Sequence, residues 1–343
     1  TEVVRESFSG IRIVKAYNLE QPEYQRLDQS SRAYIRENLK LVKITGSFFP
    51  MMVLFTNISL TIVIFLGGRQ TITRVITPGD FVAFINYLNL LTWPMMAMGW
   101  VTNLIQRGAA SLDRINKILE TPPEINDPPD PVPITDFKGH IGFDRVRFSY
   151  TANAAPVIDG VSVDIPKGRI LGIVGPQGSG KTTFLKLIPR LYDVSEGRIT
   201  IDGTDIRHLK IEELRRHIGY VSQEPFLFSG TIRENVAFGK SAEDREIMAA
   251  VRAAALNETI SEFPNGLDTI VGEKGVILSG GQKQRIVLAR ALIHQTPILL
   301  LDDPIGQVDT ETAAAIIQTI RSLSGSRTTI IVSHRIPAVQ FAD

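Results

Sequence analysis

Two stretches of the chain carry no charged residue: Ile44 to Gly68 and Phe81 to Gln106. Each exceeds the roughly 20 residues that an α-helix needs to cross the hydrocarbon core of a bilayer. Both contain amides and hydroxyls (Asn57, Thr61, Asn86, Asn89, Thr92) and one proline each, Pro50 and Pro94. A membrane helix tolerates these where it faces other helices or a water-filled cavity. The pattern therefore predicts two membrane helices, over about 44–68 and 81–106, with a buried helix hairpin of a soluble protein as the alternative. Between them, Thr77-Pro-Gly-Asp80 is a helix start, with Thr77 as N-cap, Pro78 in the first turn and Asp80 at the positive end of the dipole. The preceding residues, Thr1 to Lys43, read as polar helix with apolar positions at Val4, Phe8, Ile11, Ile13 and Val14 and a break near Asn18 to Pro22. Arg32, Arg36, Lys40 and Lys43 on one side, and Arg107, Arg114 and Lys117 on the other, outnumber Arg69 and Arg74 in the loop. By the positive-inside tendency, both flanks face the cytoplasm.

The pattern changes at Thr121-Pro-Pro-Glu-Ile-Asn-Asp-Pro-Pro-Asp-Pro-Val-Pro133. So many prolines exclude helix and central strand, and residues 121–138 are expected to form a semi-rigid linker. Beyond it, Ile141 to Tyr150 alternates as a strand and Val157 to Ile165 reads as its partner. The expected domains are 1–120, the C-terminal part of a transmembrane domain; 121–138, the linker; and 139–343, a soluble domain.

Composition adds exclusions. A net charge of +1 over 343 residues gives no reason to expect nucleic acid. The absence of cysteine excludes disulfides and thiolate metal sites. The first twenty residues carry charges throughout and have no apolar core of a signal peptide. Without an initiator Met and with a helical pattern already under way at Thr1, the chain reads as a fragment.

The chemistry concentrates in the soluble part. Gly175-Pro-Gln-Gly-Ser-Gly-Lys-Thr182 fits G-x-x-x-x-G-K-[ST], between an apolar strand (Arg169 to Val174) and a helix start (Thr183 to Ile188). Gly175, Gly178 and Gly180, with Gln177 and Ser179, turn backbone N–H groups toward one anion, and the helix dipole adds to them. Lys181 reaches β and γ phosphates, Thr182 ligates Mg²⁺, and Thr183 completes the set of candidate nucleotide-binding residues. A second strand, Ile298 to Asp302, ends in carboxylates: Asp302 for the metal and Asp303 beside the expected γ-phosphate. Leu278-Ser279-Gly280-Gly281-Gln282 opens a further helix and forms another anion site. Two phosphate-binding helix ends in one chain suggest that two copies meet around the nucleotide.

In this order the motifs resemble the nucleotide-binding domain of ATP-binding cassette (ABC) transporters, whose signature is Leu-Ser-Gly-Gly-Gln. The fold class implied is an α-helical transmembrane segment plus an α/β P-loop NTPase. The resemblance implies further roles: Tyr150 stacking on adenine, Gln223 sensing Mg²⁺ and coupling to the membrane part, and His334 switching on the γ-phosphate. Leu278 to Gln282, together with Asp309 at the end of the loop after Asp303, would face a nucleotide held by the partner. Ser9-Gly-Ile-Arg-Ile-Val-Lys-Ala-Tyr17 and the two spans resemble an exporter half-transporter of the multidrug or lipid type, with a coupling helix and the last two membrane helices. Four earlier helices and the end of the cassette would then lie outside the chain.

Two single positions and one loop depart from the family pattern. The base is usually a glutamate, and here it is Asp303, whose reach is about 1.5 Å less; a displacement of about 1 Å costs on the order of a hundredfold in rate. Pro304-Ile-Gly-Gln-Val-Asp309 differs from the usual Ala-Thr-Ser-Ala-Leu-Asp, and Ile270 stands where a glutamate usually contacts the coupling helices. The expectation is export of a hydrophobic or amphipathic substrate across the cell membrane, driven by ATP and Mg²⁺. The cassette would be cytoplasmic, and this chain would be the degenerate-site half of a heterodimer. The alternatives are a slow homodimer using Asp303 and an ATP-gated channel or regulatory subunit. A soluble cassette ATPase acting on nucleic acid would need a basic face and no spans.

Overall fold

The structure is a computed structural model and describes residues 2–134, 136–151, 154–272 and 278–343. The chain divides after Pro122 into two units, Thr1–Pro122 and Pro123–Asp343.

The first unit is helical throughout: α1 (Glu2–Ser9), α2 (Ile11–Ala16), α3 (Glu20–Ile72) and α4 (Pro78–Leu119). Asn18, in the left-handed region at φ 53°, makes the break that ends α2. Both uncharged stretches lie inside much longer helices, which extend past the expected spans at each end. At 1.5 Å per residue, the 53 residues of α3 run about 80 Å. Pro50 and Pro94 sit inside α3 and α4 without ending them. Thr77 caps α4 as a capping box: its side chain accepts from Asp80 N–H at 3.2 Å, and Asp80 accepts from Thr77 N–H at 3.1 Å. Many apolar side chains of these helices are exposed in the chain alone, and each helix contains a stretch long and apolar enough to cross a membrane.

The second unit begins with an antiparallel pair, β1 (Ile141–Phe148) and β2 (Ile158–Ile165), followed by β3 (Ile170–Val174) and α5 (Lys181–Leu187). Next come β4 (Glu196–Ile201), β5 (Thr204–Asp205), α6 (Ile211–Arg216), β6 (Ile218–Val221) and β7 (Gly230–Thr231). A helical stretch follows, α7 (Ile232–Ala237), α8 (Asp244–Ala253) and α9 (Asn257–Ser261), and then β8 (Ile270–Val271). The chain continues through α10 (Gly280–Ile293), β9 (Ile298–Asp302), α11 (Thr310–Ser322) and β10 (Thr328–Ser333).

Two four-stranded sheets result, β2-β1-β4-β5 and the parallel sheet β3-β10-β9-β6. In β9 and β10 every residue is buried. Alternate side chains serve opposite faces: Ile298, Leu300, Ile330 and Val332 pack with Phe143, Phe184 and Leu185, while Leu299, Leu301 and Ile331 pack with α10 and α7. Strands apolar on both sides are the mark of a central parallel sheet. Its register brings Val174, Ser333, Asp302 and Val221 to one edge, the carboxyl ends of all four strands. Crevices at that edge are where open α/β sheets bind ligands.

Among the described residues of 121–138 no helix or strand forms, in keeping with the prolines, and three points of the segment are held to the second unit. Ile211 N–H donates to Asp127 Oδ1 at 2.7 Å, Val132 N–H donates to His208 O at 2.8 Å, and Phe137 stacks on His217 at 4.3 Å. Side chains and isolated N–H groups supply contacts that a proline-rich backbone cannot make by itself.

Candidate nucleotide site

All the site residues read from the sequence lie within the described residues. Most of them line one cleft of about 600 Å³ at the carboxyl edge of the parallel sheet: Tyr150, Gln177, Gly178, Ser179, Gly180, Lys181, Thr182, Thr183, Gln223, Asp302, Asp303 and His334. Gly175 stands just behind it, its carbonyl accepting from Lys181.

The loop after β3 has the required backbone. Gly178 and Gly180 take φ values of 79° and 85°, and a Cβ on Gly180 would lie 2.8 Å from Val157 O. Only glycine combines that dihedral with that proximity. Lys181 Nζ donates to Gly175 O at 2.8 Å, Pro176 O at 2.7 Å and Ser179 Oγ at 3.3 Å, so its charge is curled into the loop. Tyr150 is 48% exposed, its ring edge-on to Phe148 and Tyr192 and its hydroxyl 2.9 Å from Thr183 Oγ1. Gln223 reaches the cleft from the turn after β6.

The two carboxylates at the end of β9 differ in environment. Asp302 is 3% exposed and its Oδ2 has no hydrogen-bond partner. Burial pushes its pKa up; a bond with Thr182 pulls the other way, and the neighbouring Asp303 charge adds to the rise. A buried carboxylate with one orphaned oxygen beside a threonine hydroxyl is a donor set that fits Mg²⁺. Near it the Tyr220 hydroxyl is pushed up to about 12, chiefly by burial and then by the Asp302 charge. Asp303, by contrast, has both oxygens occupied: Ser333 Oγ–H donates to Oδ1 at 2.6 Å and His334 Nδ1 lies 3.1 Å from Oδ2. Its backbone sits at φ 50°, a left-handed position that aspartate tolerates better than glutamate.

The signature residues do not line this cleft. Ser279 caps α10, accepting from Gln282 N–H at 3.2 Å while its own N–H donates to Gln282 Oε1 at 2.9 Å. Leu278 is buried; Ser279 and Gly280 are exposed. Asp309 caps α11 by accepting from Thr312 N–H at 2.9 Å, and that bond holds its pKa below the usual carboxylate value. Ile270, in β8, is exposed.

Sequence reading missed Ser333, Gly306 and Gln284. Gln284 is 1% exposed; its Nε2 donates to Asp303 O at 2.5 Å and its Oε1 accepts from Gln307 N–H at 3.1 Å. Gln307 in turn lies against the signature glycines, where a Cβ on Gly281 would come within 2.6 Å of its carbonyl. Only the polarity of Gln284, two residues before the wholly buried run Ile286 to Ala289, could have signalled it.

Two family models cover most of the chain: ABC transporter over residues 158–306 and ABC transporter transmembrane region over residues 1–95. The chain belongs to the ABC transporter family. Its helical unit is that family's transmembrane region and its second unit the ATP-binding domain. The transporter is 40% identical over 341 residues to the probable multidrug resistance ABC transporter ATP-binding/permease protein YheI of Bacillus subtilis, a match covering 99% of this chain and 58% of the relative. It is 39% identical over 343 residues to an ATP-dependent lipid A-core flippase of Desulfotalea psychrophila, covering 100% of this chain and 60% of the relative. Among solved structures it resembles a bacterial Atm1-family ABC exporter with ATP bound, with TM-score 0.84, 33% identity and coverage of 99% of this chain and 60% of that one. The chain thus spans about 60% of the length of the relatives it matches.

Proposed function

We propose that this chain is the main part of an ATP-driven exporter half-transporter, moving a hydrophobic or amphipathic substrate out across the cell membrane. Its own cleft binds Mg-ATP and hydrolyses it slowly. The signature residues Leu278 to Gln282, with Asp309, serve the nucleotide of a second half-transporter, and a heterodimer is favoured. Names of the relatives support the substrate class, since one is a multidrug protein and another a lipid flippase. The uncharged spans are poorly suited to strongly charged cargo.

The observation that carries the slow-site reading is the state of Asp303. Its shorter carboxylate is engaged by Ser333 and His334, whereas Asp302 keeps an oxygen free. Bound Mg²⁺ would neutralise charge on the phosphates and orient them. Thr182 and Asp302 would hold the ion, with Gln223 at its edge. Lys181, released from Gly175 and Pro176, would pair with the phosphates, and Tyr150 would offer its ring to the base. The contact between His334 and Asp303 favours one alternative, a homodimer that works slowly on Asp303.

The test is the ATPase rate of the full-length transporter in lipid, native against Asp303→Glu and Asp303→Asn. Near inactivity in the native chain and a gain with glutamate are the expected result. Brisk native turnover abolished by Asp303→Asn would make Asp303 the working base and remove the case for a degenerate site.

A further inference from the structure

A groove of about 450 Å³ lies on the second unit between α8, the end of α10 and the end of α11, and shares no lining residue with the nucleotide cleft. Its floor follows from side-chain size. Ala249 and Ala253, four residues apart, lie on one face of α8 and offer only methyl groups, while Leu292 and Ile293 of α10 and Leu323 after α11 supply larger apolar surface.

Arg327, in the turn between α11 and β10, lines the same groove. Its Nη1 is buried and has no hydrogen-bond partner among the described residues. Burial lowers the guanidinium pKa from its usual value, and no neighbouring charge offsets that. Glu246 lines the groove too, but its carboxylate is engaged, with Lys240 Nζ at 2.8 Å and Glu243 N–H at 3.1 Å. Two other half-buried arginines of this unit are fully used. Arg285 donates to Ala255 O at 2.6 Å and Thr259 Oγ1 at 3.0 Å, and Arg290 donates to Asn235 O at 2.8 Å and Phe226 O at 3.1 Å. A desolvated cation without a partner costs stability, and the fold alone gives no reason to keep one.

We infer that this groove is a binding site for a small amphipathic carboxylate, its two oxygens on the fork of Arg327 and its apolar body against the alanines of α8. A planar guanidinium pairs bidentately with carboxylate or phosphate. Between these, Glu243 and Glu246 in the same groove repel a dianion more strongly than a monoanion. The apolar walls give an aliphatic body a place that inorganic phosphate cannot use, and the volume is that of a small-molecule site.

The experiment titrates the full-length transporter in lipid with hexanoate, hexanol and inorganic phosphate, reading binding by ligand-observed NMR and the thermal midpoint in parallel. Hexanoate is expected to bind saturably, with hexanol and phosphate at least about tenfold weaker, the worth of a charge-assisted hydrogen bond. Arg327→Met should weaken hexanoate by a similar factor. Without any ligand the same variant should raise the midpoint, since it removes a charge that has no partner; a purely structural arginine would lower it. Ala249→Trp, at an exposed position of α8, should block hexanoate while leaving Arg327 in place, and it decides the matter if Arg327→Met fails to fold. Absence of saturable hexanoate binding, native affinity in either variant, or phosphate binding as tightly as hexanoate would overturn the inference. So would a midpoint that falls in ligand-free Arg327→Met.

Discussion

Asp302 shows how one buried charge sets a measurable response. Its pKa is raised by burial, so the folded chain holds that proton more tightly than the unfolded chain does. Folded-state stability is therefore unaffected below the ordinary aspartate value, about 3.9, and falls as pH rises from there through the raised value. In EDTA, Asp302→Asn should raise the thermal midpoint at pH 7.5 by about 2–4 °C for each kcal/mol of relieved penalty. The gain should shrink toward pH 4. A midpoint that falls at pH 7.5 would show that the carboxylate is satisfied without metal. With Mg-ATP the order should reverse, because only the native chain gains the metal bond. The sequence made Asp302, Lys181 and Thr182 legible, since each occupies a fixed place in a local motif. Ser333 and Gln284 were not legible: their partner, Asp303, is 30 and 19 residues away, and only the register of β9 with β10 and the packing of α10 bring them together.

At the scale of elements, α10 and the loop after β9 form one piece. Gln284 satisfies the Asp303 carbonyl and the Gln307 N–H from inside the protein. Gln284→Leu keeps the volume and leaves both groups unpaired, at about 1–3 kcal/mol for each buried group. Hydrogen exchange should accelerate across 303–309 while β10 stays protected; unchanged exchange there would mean that the loop does not depend on Gln284. The α10 start was readable from Leu278 to Gln282, where serine and two glycines open a helix; the capping box between Ser279 and Gln282 came with the structure. The short pieces β5, β7 and β8 were not, because two-residue strands exist only through the partner that pairs with them.

For the whole molecule, the division at Pro122 separates a unit that buries almost nothing of its own from one with a continuous apolar interior on both faces of its sheet. Residues 123–343 expressed alone should fold and remain soluble without detergent, and should show a cooperative thermal transition. Residues 1–122 should require detergent. A start at 139 should fold less well than a start at 123, because it discards Asp127, Val132 and Phe137; equal midpoints for the two would show that those contacts contribute nothing. Charge-free stretches made the membrane unit legible. The docked course of 123–138 was not, since proline content reports what a segment cannot form and says nothing of what it leans on.

The two prolines within α3 and α4 leave a mark of a different kind. Each removes one N–H from the helical ladder, so the carbonyls of Gly46 and Leu90, four residues earlier, lose the donor that a helix normally supplies there. In hydrocarbon such an oxygen costs several kcal/mol unless something donates to it. Two otherwise greasy rods thus each carry one thirsty atom, and the side of the rod bearing it is the side that must turn toward water or a neighbour's hydroxyl, away from lipid.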